Sequence, residues 1–485
     1  MKTIKEYNLP IYNYLRKYAK EDINVFHMPG HKLSRGIPRE LSDDVLKLDV
    51  TEIDGTDNLH YPEGIIKEAQ ELAARAFGAD RTFFLVNGST CGIQAAIMSV
   101  CTRGQKIIIG RDSHKSVVSG LILSGAKPIF VYPEYNSKFG IHEGITAQSI
   151  ENALSMNPDA AAVLITRPNY YGICSDIKNI ADTVHSYGKP LIVDEAHGAH
   201  LSFSPLLPPS ANQYNADVVI QSAHKTLPAV TQGAYLHLNG PLIDIDKILF
   251  NLAMLQTSSP SYIVMTYLDI ARELMQTEGI QRLKYLLDEI NIFNGRVSEI
   301  GGYKVLSGKY LGINTIQDPT RLVLNVSRLG ISGFQAEATL RAELSTQVEM
   351  ADYENIVLIT TIADKRRSFE RLYESLSKLA QIPFDKDCIQ QMEKKREFGE
   401  IQKPSDGFSV LSPYEAYAAQ KEQKELKSCL GRICAGVITP YPPGIPILYP
   451  GEIIDGEKIS YIEYIIDLGG TVNGVGNNNS VQVVK

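Results

Sequence analysis

Nowhere in its 485 residues does this chain hold the roughly 18 consecutive apolar side chains that a membrane-spanning helix requires. The first twenty residues, opening Met1-Lys-Thr-Ile-Lys-Glu-Tyr7, carry charges throughout and lack the apolar core of a secretory signal, so a cytoplasmic protein is expected. Cysteine is scarce. Residues 91, 101, 174, 388, 429 and 434 are too few and too irregularly spaced for a disulfide scaffold or a zinc site, which leaves reduced thiols. Nor does one charge dominate: a formal net charge of −7 spread over both signs gives no support to a nucleic-acid or anionic-membrane surface, and it leaves room for a cationic small molecule. No internal repeat is found, and the Gly/Asn-rich stretch Gly469–Asn479 reads as a polar surface tail.

What the chain does have is size and alternation. With 44% hydrophobic residues it can bury a large core and should divide into roughly two or three domains. From about Arg81 to Leu238, Thr82–Val86, Lys106–Ile109, Pro128–Tyr132, Ala161–Thr166, Pro190–Val193, Asp217–Gln221 and Gly233–Leu238 read as strands, with helical patterns such as Ile177–Tyr187 between many of them. This is the pattern of an α/β fold with a doubly wound, mostly parallel sheet, whose ligand crevice lies beyond the strand C-termini. Residues 1–65, rich in Pro, Gly, Asp and His, read as an arm wrapping over another surface, and 66–300 as the large domain. Residues 301–485 read as a smaller C-terminal α/β domain, with strand Arg321–Val326, helix Gln335–Leu344, strand Ile356–Ile362 and a charged helix Lys365–Ala380.

Two strand ends carry unusual chemistry. Leu191-Ile-Val-Asp-Glu-Ala-His-Gly198 and Val218-Val-Ile-Gln-Ser-Ala-His-Lys225 are apolar runs that break off into ionisable residues, one offering a carboxylate and the other an amine. A carboxylate that keeps a pyridine nitrogen protonated, with an amine able to form a Schiff base, is the minimum equipment for pyridoxal 5'-phosphate chemistry. Phe83-Phe-Leu-Val-Asn-Gly-Ser-Thr90 adds a phosphate cradle, because Ser89 and Thr90 open a helical segment whose hydroxyls and N–H groups suit an anion. Asp194 lies in a run apolar enough to be desolvated, so its charge needs a partner: a pyridinium, or a neighbouring helix that it caps. His197 and His200 invite a metal reading, but the His-Glu-x-x-His spacing is missing and a Gly intervenes, so no metal is expected. Taken alone, Lys225 would be a solvated strand end and His114 an exposed loop histidine.

In combination these segments resemble the ornithine/lysine/arginine decarboxylase family of fold type I (aspartate aminotransferase-like) pyridoxal-phosphate enzymes, in particular its short bacterial arginine decarboxylases. The resemblance runs in family order across almost the whole chain. It passes through Phe26-His-Met-Pro-Gly-His-Lys32, Asp57-Asn-Leu-His60 with Pro62 and Gly64, Asn87-Gly-Ser-Thr90, His114-Lys-Ser116, Asp194-Glu-Ala-His-Gly-Ala-His200, Ser222-Ala-His-Lys225, Thr257-Ser-Ser-Pro-Ser-Tyr262 and Tyr441-Pro-Pro-Gly-Ile-Pro446. It implies that Lys225 binds the cofactor covalently, Asp194 faces the pyridinium nitrogen, and Ala196 lets the ring lie flat. His114 stacks on the ring's outer face, and His197 approaches its 3'-oxygen or the substrate. His224 contacts the phosphate or the substrate adduct and helps deliver a proton to Cα. Ser89, Thr90 and Ser222 belong to the cofactor site, and Thr257 with Ser258 reaches the phosphate of a neighbouring subunit. A homodimer or higher oligomer with shared sites is therefore expected, with no nucleic-acid or membrane partner.

The implied reaction is decarboxylation of a basic amino acid, arginine to agmatine and carbon dioxide, with lysine or ornithine as alternatives. A basic side chain needs acceptors at its far end, and the candidates are Glu52, Asp54 and Asp57 in the arm and Glu452 after the Tyr441–Pro446 motif, Asp54 and Glu452 foremost. Each could equally be a solvated surface charge. The Asp and the Lys alone leave an aminotransferase or aldolase on the same fold open. His114, where many aminotransferases present a flat aromatic, and the Tyr441–Pro446 motif favour the decarboxylase. A catalytically dead binding homologue would be expected to have lost Lys225 or Asp194, and both are present. Gly301-Gly-Tyr-Lys-Val-Leu-Ser-Gly-Lys309 fails the spacing of a phosphate loop, which sets a nucleotide-binding protein aside.

Overall fold

The computed structural model describes residues 24–27, 30–32, 35–39, 49–383, 410–441, 444–467, 470–476 and 478–485. Met28, Pro29, Pro442 and Pro443 of the motifs, together with Cys388 and Gly469, lie outside the described residues. The seven expected strands form one sheet: β1 (Arg81–Leu85), β2 (Lys106–Gly110), β3 (Lys127–Val131), β4 (Val163–Thr166), β5 (Leu191–Asp194), β6 (Val218–Ser222) and β7 (Ala234–Leu238), in the spatial order β1-β7-β6-β5-β4-β2-β3. Neighbours are parallel except for the two pairings made by β7. β5, β6 and β7 are buried at every position, which is why they read as unbroken runs rather than alternating ones. Helices cover both faces. Among them, α1 (Gly88–Val100) and α2 (Lys115–Ser124) pack over one buried cluster and α3 (Ile177–Ser186) over another.

The registers bring the chemical ends of the strands together. Asp194 of β5 pairs with Ile220 of β6, Ser222 of β6 with Ala234 of β7, and Ala234 in turn with Leu85 of β1. Because β7 runs against its neighbours, its first residue meets the last residues of β6 and β1. The loops following β1, β2, β5 and β6 therefore open on one edge of the sheet, the place where an open α/β sheet holds its ligand.

Helix α4 (Tyr262–Glu299, 38 residues) leads to a four-stranded sheet of β8 (Lys304–Val305), β9 (Arg321–Asn325), β10 (Met350–Ala351) and β11 (Asn355–Ile359). Its order is β8-β9-β11-β10. A strand–helix–strand sequence ordinarily yields parallel neighbours, yet β9 and β11 are antiparallel. After helix α5 (Gly333–Ala342) the chain runs along Thr346–Gln347 and β10, then reverses at Asp352, whose Oδ1 accepts the N–H groups of Glu354 and Asn355. The arm joins here: Asn24–Val25 lies parallel to Thr346–Gln347, with Phe26 buried behind it.

Residues 301–380 pack into clusters shared with the large domain, Leu322, Leu324 and Leu358 in one and Val323, Met350 and Val357 in another, and 410–485 build a separate one. That separate cluster is made of Leu426, Cys434, Ile438, Leu448, Ile462 and Val481 with their neighbours, closed by the pairing of Lys421–Glu425 with Ser480–Val484. The expected polar tail is corrected as well: Thr471–Asn473 pairs antiparallel with Thr439–Tyr441, because Val472 gives an otherwise polar stretch one side chain to bury. Among the described residues no helix is long and apolar enough to cross a membrane, and the five described cysteines are free and buried.

Candidate active site

β6 ends at Ser222, and the chain turns at once into a single helical turn, Ala223–Thr226, that carries His224 and Lys225 toward the end of β5. Lys225 Nζ lies 3.0 Å from His197 Nε2. On the far side of the same imidazole, Arg321 Nη2 donates to Nδ1 at 2.9 Å, and the Tyr170 ring packs with its centroid 4.7 Å away at 59°. Asp194, Ala196 and His197 are buried, while His114, His224 and Lys225 are half-buried.

The electrostatics follow from that burial. Asp194 Oδ1 accepts the Ala196 N–H at 3.1 Å. Loss of hydration raises its pKa above the usual carboxylate value, and Lys225 and that single amide offset the effect only in part. Burial likewise pushes the Lys225 amine below its ordinary value; Asp194 and Glu349 oppose this and Arg321 adds to it. The three imidazoles stay neutral near pH 7. His114 is brought down to about 4 by burial, then by Lys225 and Lys115. His224 also falls to about 4 by burial, against the pull of the Gly233 carbonyl, and His197 lies well below its usual value because it is buried beside Lys225 and Arg321. Their tautomers differ: His224 donates from Nδ1 to the Gly233 oxygen at 3.1 Å, whereas His114, capping α2, accepts at Nδ1 from the Ser116 N–H at 3.2 Å.

The cradle stands where β1 meets α1. Gly88 has φ +73°, a backbone state that lets the strand turn sharply into the helix, and Asn87 leaves the first turn without a side-chain cap. Ser222 Oγ donates to Ser89 Oγ at 2.9 Å, tying the cradle to the lysine turn. Thr90 is exposed. A buried carboxylate short of compensation, an amine, and an uncapped helix start lined with hydroxyls together fit pyridoxal phosphate: Asp194 for the ring nitrogen, Lys225 for the aldehyde, Ser89, Thr90 and Ser222 for the phosphate.

Other expected residues sit elsewhere. Thr257 and Ser258 are exposed on a segment anchored beside the cradle by Gln256, whose Oε1 accepts the Val86 N–H at 2.8 Å. Glu452 is corrected as a substrate reader. It is buried and paired with Arg111 at 3.2 Å, and its Oε2 also accepts the Tyr449 N–H at 2.9 Å, because a buried carboxylate takes the nearest buried cation and donor. Asp57 is similarly committed, accepting the N–H groups of Asn58, Glu63, Gly64 and Ile66 at the start of a helix. Asp54 is exposed and Glu52 half-buried. His200 Nε2 lies 3.1 Å from Asp318 and 3.0 Å from Thr320 Oγ1.

Arg321, Tyr170 and the contact made by Gly30 escaped the sequence reading. A charged residue heading an apolar strand looks like a solvated end, so nothing near Arg321 in sequence announces its burial. Gly30 carried a signal in its motif but no visible reason. Its N–H donates to the His224 oxygen at 2.6 Å, and a Cβ there would stand 2.5 Å from the Leu227 oxygen. Thr361 Oγ1 donates to the Gly30 oxygen at 2.8 Å, so Gly30 bridges the lysine turn and the turn that follows β11.

Comparison with known proteins identifies the family. The family model "Orn/Lys/Arg decarboxylase, major domain" matches residues 9–368, and the corresponding C-terminal domain matches 403–475. The chain is similar to an arginine decarboxylase of Bacillus subtilis, 38% identical over 99% of each chain, and to one of Bacillus anthracis, 36% identical over 98% of this chain and 96% of that one. Among solved structures, the constitutive lysine decarboxylase of E. coli aligns with a TM-score of 0.80 at 20% identity, covering 98% of this chain and 82% of that one.

Proposed function

This chain belongs to the Orn/Lys/Arg decarboxylase family, and on that footing we propose that the substrate of this pyridoxal-phosphate-dependent amino-acid decarboxylase is arginine, converted to agmatine and carbon dioxide. One observation carries the choice: the two Bacillus arginine decarboxylases match it at 38% and 36% identity over nearly the full length of both chains. The lysine decarboxylase structure, at 20% identity, supports the fold alone.

When bound, the cofactor supplies an electron-withdrawing pyridinium ring that accepts the electron pair released as the Cα–carboxylate bond breaks. Asp194 favours a proton on the ring nitrogen, since its own ionised form lacks compensation in the buried site. Ser89, Thr90 and Ser222 would hold the phosphate, and Lys225 would supply the reacting amine. His224 keeps its Nδ1 proton on the Gly233 carbonyl, so Nε2 is the nitrogen able to take up a proton and hand it on to Cα. Ala196 and His114 are the residues that would flank the bound ring and limit water there. Glu52, half-buried with its Oε1 unpartnered among the described residues, and Asp54, exposed on the arm, are the remaining candidate acceptors for the substrate guanidinium.

The same reading includes a homo-oligomer in which Thr257 and Ser258 complete the site of a neighbouring subunit. Phe250 and Met254, 70% and 53% exposed on the helix leading into that segment, support a covered surface there. Five free, buried cysteines support a reducing compartment such as the cytoplasm. The test is release of carbon dioxide from arginine, lysine and ornithine by the loaded enzyme. Arginine should lead in kcat/KM by about tenfold or more, a difference of about 1.4 kcal/mol. Faster turnover of lysine or ornithine would overturn the substrate, and an oxo acid in place of carbon dioxide would overturn the reaction.

A further inference from the structure

We propose that Arg321 is a positioning residue that, acting through His197, holds Lys225 as the uncharged amine. This rests on the reading that Lys225 is the cofactor lysine. Two hydrogen bonds fix where the protons lie. A guanidinium has only donors, so His197 Nδ1, 2.9 Å from Arg321 Nη2, must accept. A neutral imidazole carries one proton, which therefore sits on Nε2. That N–H faces Lys225 Nζ at 3.0 Å, and it needs a lone pair to meet. An ammonium has none and would set N–H against N–H, whereas a neutral amine accepts.

The surroundings hold this arrangement in place. Arg321 is 1% exposed and fixed on β9, paired with Ile359 of β11, and Tyr170 packs against the imidazole between them. The ionisable groups facing Lys225 are Asp194, Glu349, Arg321, His114, His197 and His224; those facing His197 are Lys225, Arg321, His114 and His224. Asp194 and Glu349 alone would favour the ammonium. The Arg321–His197 relay opposes them, and burial pushes the amine in the same direction as the relay.

The consequence is readiness for the aldehyde. The nitrogen lone pair forms the new C–N bond, and the aldehyde oxygen leaves as water with the two amine protons. A lysine of ordinary pKa would be uncharged in only about one molecule in a thousand at neutral pH.

The experiment uses the full-length chain freed of cofactor and mixed with pyridoxal phosphate from pH 6 to 9.5. Covalent attachment is trapped with borohydride and located by peptide mass. In the wild type, the rate of labelling at Lys225 should change little across the neutral range. Arg321→Met should slow labelling at pH 7 by about tenfold or more and make the rate climb with pH, while Arg321→Lys, which keeps a donor, should restore the flat profile. His197→Phe leaves the guanidinium in place but cuts the relay, and should give the climbing profile too; it carries the test if Arg321→Met does not fold. A wild-type rate rising about tenfold per pH unit, or variants superimposing on the wild type, would overturn the proposal. Labelling of a different lysine would instead overturn the identification of Lys225.

Discussion

The two sides of the β5 strand end are one residue apart and are satisfied in opposite ways. Glu195, at 0% exposure, receives Ser210 Oγ at 2.7 Å, Gln221 Nε2 at 2.6 Å and the Ala211 N–H at 2.9 Å, and it pairs with buried Arg167 at 3.3 Å. Asp194, at 2% exposure, receives the Ala196 N–H, and the Lys225 amine is the neighbouring group that offsets part of its desolvation. Burial alone therefore does not mark a functional carboxylate. A saturated one anchors the scaffold, and an undersaturated one leaves acceptor capacity for a partner that arrives later.

That contrast can be broken most forcefully on its scaffold side. Glu195→Gln leaves Arg167 buried without its counter-ion and should cost about 3–5 kcal/mol, read as a lower urea midpoint, while the molecules that fold keep near-normal kcat. Glu452→Gln should cost less, about 1.5–3 kcal/mol, because Arg111 still donates to the Pro446 and Ile447 carbonyls. An unchanged KM for arginine in that variant would bear out Glu452 as a structural partner, and a raised KM specific to cationic substrates would return it to the substrate site.

The last effect is a pH dependence, absent at neutral pH and growing only on acidification. His237, part of the Glu195 network through Gln221, is held neutral by burial with its pKa lowered to about 3. The unfolded chain, titrating near 6.5, binds the proton first on acidification. The stability this imidazole contributes is thus complete above about pH 6.5 and declines, by about 1.4 kcal/mol per pH unit, as pH falls toward about 3. Urea midpoints of the wild type and His237→Gln should converge as pH falls through that window, and a pH-independent gap would show that His237 does not titrate on unfolding.

Much of this was legible in the residues. β5 and β6 were visible because strands buried on both faces must be apolar throughout, and Asp194 and Lys225 because each interrupts such a run. Arg321 was invisible for the converse reason: only the packing of β9 against a loop more than a hundred residues earlier buries it. The Arg111 partner of Glu452 was not legible, because a lone carboxylate after a motif says nothing about a cation at position 111. The strand order β1-β7-β6-β5-β4-β2-β3 was likewise not deducible, since periodicity fixes which segments are strands but not which become neighbours.

The most direct test is to measure kcat and the urea midpoint of Asp194→Asn beside those of Glu195→Gln. Asp194→Asn should lose about a thousandfold in kcat, about 4 kcal/mol, with an unchanged or slightly higher midpoint, because a neutral amide needs no buried cation. Glu195→Gln should show the reverse pattern. Near-normal turnover in Asp194→Asn, or a loss of stability matching that of Glu195→Gln, would contradict the assignment of Asp194 to the chemistry.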